Sequence, residues 1–186
     1  MGNLGRCCMS HRPKNRMRDY PPDRLFALIK EHFKYDAVRG KLFWRTGEKR
    51  GHAVPLRKSP FGYLNIHWLQ MDWRVHRIIW MLVNDEPLEY SDEIDHRNRI
   101  RDDNRPSNLR KATHQQNQWN AGLRSDNTSG IRGVCKKPNN RWEANITVNG
   151  KPQYLGLFKS PQEAAEAYQK KARELRGEYV PNGEAA

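Results

Sequence analysis

Asp95 and His96 stand side by side after the apolar Ile94, and Asn recurs at 98, 104, 108, 117 and 120 through a polar stretch. These are the residue types that phosphodiester hydrolysis needs. A base must deprotonate water, a cation must neutralise charge on the phosphate and the leaving oxygen, and something must hold the base in line. Asp95 offers a hard oxygen suited to Mg²⁺ or Mn²⁺. Neighbouring residues of an extended strand point to opposite sides, so one of the pair can hold an ion while the other faces the attacking water. Amide oxygens are also hard donors. A neutral Asn leaves the ion more electropositive than a second carboxylate would, which suits a site whose remaining ligands are phosphate oxygens.

The elements that must carry these groups follow from the pattern around them. Ile94 begins a short strand that ends at Asp95-His96, a polar loop runs through Arg105-Pro106, and Leu109 anchors a return strand. Thr113 is placed to cap a helix that carries Gln116 and Asn117. Upstream, apolar positions 25, 26, 28, 29 and 33 predict a helix over 21–33. Two aromatic-rich runs around Arg39-Gly40 predict a hairpin. A basic loop covers 46–60, two strands with a turn near Gln70-Met71 follow, and 76–85 reads as a buried helix. Residues 1–20 are a basic arm without periodicity.

The small polar run 121–128 reads as a linker between a domain over 21–120 and another over 129–180, with a tail at 181–186. In the second, Trp142, Ala144, Ile146 and Val148 alternate with Arg141, Glu143, Asn145 and Thr147, the mark of a strand with one apolar face. Asn149-Gly150 signals a hairpin turn. Ser160-Pro161-Gln162-Glu163 is a capping box with Pro at the first helical position. The helix it opens presents Ala164, Ala165, Tyr168, Ala172 and Leu175 on one face, and Gly177 stops it near Arg176. Trp142, Leu155 and Phe158 read as core. The class is α+β: three strands backed by one helix leave a free sheet face that carries the polar alternates.

The net charge is +13, with eleven Lys or Arg against seven Asp or Glu in 121–186 and twenty-three against fourteen in 1–120. Both halves are basic, so a polyanion is the expected partner. Three cysteines without a CxxC pair argue against a zinc finger and for a reducing compartment, here the cytoplasm. No apolar run approaches the ~18 residues of a membrane span, and the first residues lack the apolar core of a secretory signal. Neither a membrane nor a small-molecule substrate is expected.

DHRNRIRDDNRPSNLRKATHQQNQWN resembles the ββα-metal motif of HNH endonucleases, in the H-N-N variant of phage and intron-encoded homing enzymes. The resemblance covers roughly 60–120 and rests on Asp95-His96, Asn108-Leu109 and Asn117, in that order. It implies that His96 is the general base, that Asn108 bonds across the hairpin to fix the His96 ring, and that Asp95 and Asn117 hold one divalent ion. His114, three residues before Asn117 and on nearly the same helical face, is the alternative ligand. Asn104 and Asn120 are then structural, and Asn98 has no assigned role. Arg97, Arg99, Arg101, Arg110 and Lys111 are expected on phosphates.

Residues 129–180 resemble an AP2 DNA-binding domain in IRGV, RWEANI, YLGLF and PQEAAEAYQKKARELRGEY. That resemblance implies a sheet laid into the major groove, with Arg132, Lys137, Arg141 and Tyr154 at contact positions. The expectation is therefore an HNH nuclease domain followed by an AP2-like tether, acting as a monomer on double-stranded DNA. The alternative is a non-catalytic AP2-type regulator with a degenerate HNH fold.

Overall fold

The computed structural model describes residues 20–123, 125–148 and 150–180. The basic arm expected at 1–20 (all but its last residue), the tail at 181–186 and the turn residue Asn149 lie outside the described residues. The chain divides into two compact units, one ending at Ser91 and the other beginning at Asp92.

In the first unit, helix α1 (Pro22–His32) starts with Pro at its first position and Asp23 in its first turn. Both suit a helix start, where the Pro has no N–H to lose and the carboxylate meets the positive end of the dipole. Leu25 and Ile29, one turn apart, are its buried residues. Phe33 ends it in extended conformation and opens the hairpin β1 (Phe33–Asp36) and β2 (Lys41–Trp44). Strands β3 (Arg57–Lys58), β4 (Leu64–Trp68) and β5 (Met71–Arg74) form an antiparallel sheet in that order. Its β4–β5 turn falls on Leu69 and Gln70, both left-handed, one residue earlier than the sequence suggests. The core is aromatic: Phe33, fully buried, lies 4.8 Å from both the Trp44 and the Trp68 rings. Helix α2 (Val75–Asn84) buries Val75, His76, Ile78, Ile79, Trp80 and Met81 and stops at Asp85 in the left-handed region. Each such aliphatic side chain contributes about 1.5–3 kcal/mol through burial.

The second unit begins with the hairpin β6 (Glu93–His96) and β7 (Leu109–Ala112), followed by helix α3 (His114–Asn120). The Thr113 hydroxyl accepts the Gln116 N–H, and the Gln116 side chain reaches back to the Thr113 N–H, a complete capping box. Strands β8 (Val134–Lys137), β9 (Arg141–Val148) and β10 (Lys151–Phe158) form an antiparallel sheet with β9 at its centre. Helix α4 (Pro161–Arg176) is capped by Ser160 and stopped by Gly177. It packs on the sheet through Ala164, Ala165, Tyr168 and Ala172, against Ile131, Val134, Ala144 and Ile146. Trp142, Leu155 and Phe158 pack on this core as expected. Leu175, on the same stripe but one turn beyond Ala172, is 40% exposed. A 3-10 turn, Gly177–Tyr179, closes the described chain.

This division by compactness differs from the linker expected at 121–128. The 121–128 stretch lies inside the second unit, where the last described turn reaches back to β7 and Glu178 and Tyr179 meet Arg110 and Lys111. The ββα element and the three-stranded sheet thus fall in one unit.

Gly133 shows how closely α4 approaches the sheet. Its φ is +68°, and a Cβ there would lie 2.3 Å from the Tyr168 ring and 2.5 Å from the Asn145 carbonyl oxygen. Gly133→Ala therefore meets both a disfavoured backbone and a steric clash. It should destabilise the protein by at least about 2 kcal/mol, read as a lowered denaturation midpoint in urea. A change within about 0.5 kcal/mol would mean that the helix is free to back away.

Candidate active site

The register of β6 on β7 sets the candidate site. It pairs Glu93 with Ala112, Ile94 with Lys111, Asp95 with Arg110 and His96 with Leu109. Asp95 thus faces a cation directly across the hairpin, where opposite charges reinforce a strand pair. Both residues are buried, at 5% and 6% exposure. Asp95 Oδ2 accepts the Arg110 Nε–H at 2.8 Å and an Nη2–H at 2.7 Å. From α3, the Asn120 amide donates to both Asp95 oxygens, at 2.9 and 3.0 Å, and to the His96 carbonyl at 2.8 Å. Arg110 is therefore not on the surface as a phosphate contact. Its guanidinium turns inward because a buried carboxylate needs a partner far more than a solvated phosphate site does.

His96 is buried beside it, at 5% exposure. Its Nε2 lies 3.0 Å from Asn104 Oδ1. An amide oxygen only accepts, so in this arrangement Nε2 is the nitrogen that donates to Asn104. The residue that meets the ring is Asn104, not Asn108. Asn108 instead ties the loop between the strands. Its Nδ2 donates to the Asp103 carbonyl at 2.7 Å and to Asn98 Oδ1 at 2.9 Å, while its Oδ1 accepts the Asn98 N–H at 3.0 Å. Asn98, without a role in the sequence, closes the circuit by donating to Asp103 Oδ2 at 2.6 Å. Two Arg105 hydrogen bonds, reinforced by that of Asn98, hold the Asp103 carboxyl down to about 2.

Helix α3 carries a second set of polar contacts. His114 Nδ1 lies 2.7 Å from Glu93 Oε1, and the Asn117 amide donates to Glu93 Oε2. The amide of Gln118 meets the other His114 ring nitrogen at 2.7 Å. The structure thus joins Asp95 to Asn120, and Glu93 to both His114 and Asn117. Sequence reasoning overlooked Glu93 and set Asn120 aside. The available signal was periodicity: Glu93 and Asp95 share one strand face, and Asn117 and Asn120, three apart, share one helix face.

Among the described residues no three His, Cys, Asp or Glu come together as a metal cluster. The donor set joined to Asp95 is its own Oδ1, which accepts an amide hydrogen, and the Asn120 amide, whereas the Asn117 amide is bonded to Glu93. It is an all-oxygen set once an amide turns, and fits a hard divalent cation rather than zinc.

The other expected contact residues are spread more widely. Arg97, Arg99, Arg101 and Lys111 are exposed. Arg97 pairs with Glu178 at 2.5 Å and Lys111 with Asp92 at 2.9 Å. On the second sheet, Arg141, Glu143 and Asn145 alternate with the buried Ala144 and Ile146, and the register sets Lys137 beside Arg141 and Tyr154 beside Asn145. Tyr154 is 60% exposed. Lys137 lies 3.1 Å from Glu143, whose hydrogen bond pushes the ammonium above its usual range. Arg132 donates to the Ala121 carbonyl.

Residues 74–119 match the family model described as HNH endonuclease. The chain is also 34% identical, over 113 residues, to an uncharacterized HNH endonuclease of Acanthamoeba polyphaga mimivirus. That alignment covers 59% of this chain and 57% of the mimivirus protein, so the chain spans little more than half of the relative it matches. No solved structure matches the chain. The segment similar to HNH endonucleases thus includes α2, β6, β7 and most of α3.

Two outcomes follow from this geometry. Arg110→Ala strands a buried carboxylate and should cost about 3–5 kcal/mol in urea unfolding; a loss under about 1 kcal/mol would mean that Asp95 is not buried with Arg110. Asp103 has a depressed carboxyl, so its stabilisation is present above the usual carboxylate value of 3.8 and is lost as pH falls toward about 2. The thermal midpoints of wild type and Asp103→Asn should differ at pH 6 and converge by pH 2. A gap that is constant with pH would rule out the ionic role.

Proposed function

We propose that the chain is a metal-dependent DNA endonuclease of the H-N-N type, cutting or nicking double-stranded DNA and guided by an AP2-like sheet at 129–180. The observation that carries this reading is the ββα element, which sets Asp95 and His96 at one strand end with the amides of α3 behind them. The HNH match over 74–119 supports it.

In this reading His96 takes the proton of the attacking water on Nδ1, while Asn104 holds Nε2–H and with it the tautomer. Asp95 Oδ1 and an amide oxygen of α3, from Asn117 or Asn120, hold Mg²⁺ or Mn²⁺. When bound, the ion would neutralise charge on the scissile phosphate and the departing oxygen. The Asn108–Asn98–Asp103 circuit keeps the loop after His96 in one shape. The exposed Arg97, Arg99, Arg101 and Lys111 steady the flanking phosphates.

The second module reads as a DNA-binding sheet backed by α4. Its free face offers Lys137, Arg141, Asn145 and Tyr154 to a groove, with Arg132 beside it. A tether of this kind raises the effective concentration of a weakly selective nuclease at its site. One active site per chain makes a nick the expected product of a monomer. The chemistry needs no membrane and no small-molecule substrate, and the sparse cysteines suit the cytoplasm.

The rival reading, a DNA-binding regulator with an inactive nuclease fold, draws on the occupied state of Asp95, whose Oδ2 is filled by Arg110. Supercoiled plasmid separates the two. Wild type with Mg²⁺ should give open circle, while EDTA or His96→Ala should leave the plasmid supercoiled and gel-shift affinity within about twofold. Asn117→Ala and Asn120→Ala should each raise the Mg²⁺ requirement, and His114→Ala should change it less. Clear DNA binding without cleavage under any divalent ion would favour the regulator.

A further inference from the structure

We propose that Tyr179, together with the Glu178 backbone carbonyl, is a positioning residue for the candidate metal ligand Asp95, acting through Arg110; this rests on the reading that Asp95 holds a divalent cation. The C-terminal module would then complete the nuclease site as well as deliver it to DNA.

The contacts form one chain. Arg110 spends Nε and Nη2 on Asp95 Oδ2. Its third branch, Nη1, donates to the Glu178 carbonyl at 2.5 Å. The Tyr179 ring lies under the guanidinium, 3.9 Å from ring centroid to Arg110 Cζ. The ring is itself fixed, because the Tyr179 hydroxyl donates to the Lys111 carbonyl at 2.9 Å, one residue along β7 from Arg110. Two further contacts join the same region: the Glu178 carboxylate meets Arg97 at 2.5 Å, and the Arg176 guanidinium stands 5.3 Å over the Trp119 ring, next to Asn120 on α3.

A guanidinium held on one edge by a carboxylate, on another by a carbonyl and on one face by an aromatic ring has little freedom to turn. That matters for Asp95. With two Arg110 N–H groups on Oδ2, Oδ1, which accepts only from the Asn120 amide, is the oxygen with room for a cation. If Arg110 loosens, the carboxylate can rotate, and both oxygens become partners of the guanidinium. Side chains that orient metal ligands from behind typically change metal affinity by about 10–100-fold when removed. A cation–π contact on a desolvated guanidinium is of the strength needed to matter at that level.

The experiment is Mn²⁺ binding by the full-length chain, read as free Mn²⁺ by electron paramagnetic resonance, for wild type, Asp95→Ala, Tyr179→Ala, Tyr179→Leu and Tyr179→Phe. Circular dichroism and duplex gel shift are measured alongside. Tyr179→Leu keeps apolar bulk without a π face, so it tests the ring even where Tyr179→Ala unfolds the turn. Tyr179→Leu should weaken Mn²⁺ about tenfold, with far-UV spectrum and duplex affinity at wild-type level. Tyr179→Phe keeps the ring and should recover most of the affinity. Wild-type Mn²⁺ affinity in a folded Tyr179→Leu, with Asp95→Ala deficient, would overturn the positioning role alone. Equal binding by Asp95→Ala and wild type, or none by either, would overturn the metal reading and the positioning role with it.

Discussion

The Asp95–Arg110 pair is the constraint around which the candidate site is arranged. A carboxylate and a guanidinium, each about nineteen-twentieths buried, lose most of their hydration. Such a pair is tolerated only when geometry is good and the remaining lone pairs and N–H groups are satisfied. Here they are: two Arg110 N–H groups and one Asn120 amide serve Asp95, and the Glu178 carbonyl takes a further Arg110 N–H. The requirement reaches outward. It recruits α3 through Asn120 and the 3-10 turn Gly177–Tyr179 through Glu178 and Tyr179, so elements far apart in sequence are tied to one hairpin.

That dependence explains why α3 is polar. A helix of seven residues is too short to hold itself in water, and its one buried residue is Asn120. It is kept in place by its capping box and by amides that reach β6, where Glu93, Asp95 and the His96 carbonyl accept them. Hydrogen bonds in place of apolar packing thus bring the amide side chains of α3 onto β6. The loop between β6 and β7 is treated alike: Asn98, Asp103, Arg105 and Asn108 bond one another, and Asn104 is left to meet His96.

The sheet and α4 follow the opposite rule. Three alanines on α4 and glycine at 133 bring helix and sheet close, and the core is apolar. Close packing of this kind holds the sheet face rigid and keeps its polar alternates in register. Glu143 sits among those alternates and is bridged to Lys137 and Asn145, which makes the free face mixed in charge rather than uniformly basic.

The elements were legible in the chain because they follow from local physics. Strand alternation, the Thr113 and Ser160 caps, the Gly177 stop and the Arg39-Gly40 turn each depend on residues within a few positions. Asp-His followed by spaced amides likewise raised an expectation about the chemistry. What the sequence alone did not decide was which of its many polar residues meet. Arg110 among five similar cations, Asn104 rather than Asn108 at the imidazole, Asn120 rather than Asn117 on Asp95, and Glu178 with Tyr179 behind Arg110 all depend on strand register, helix phase and the return of a distant segment. Desolvation settles those choices: once the hairpin closes, the buried carboxylate takes whichever donors can reach it, and reach is a property of the tertiary structure.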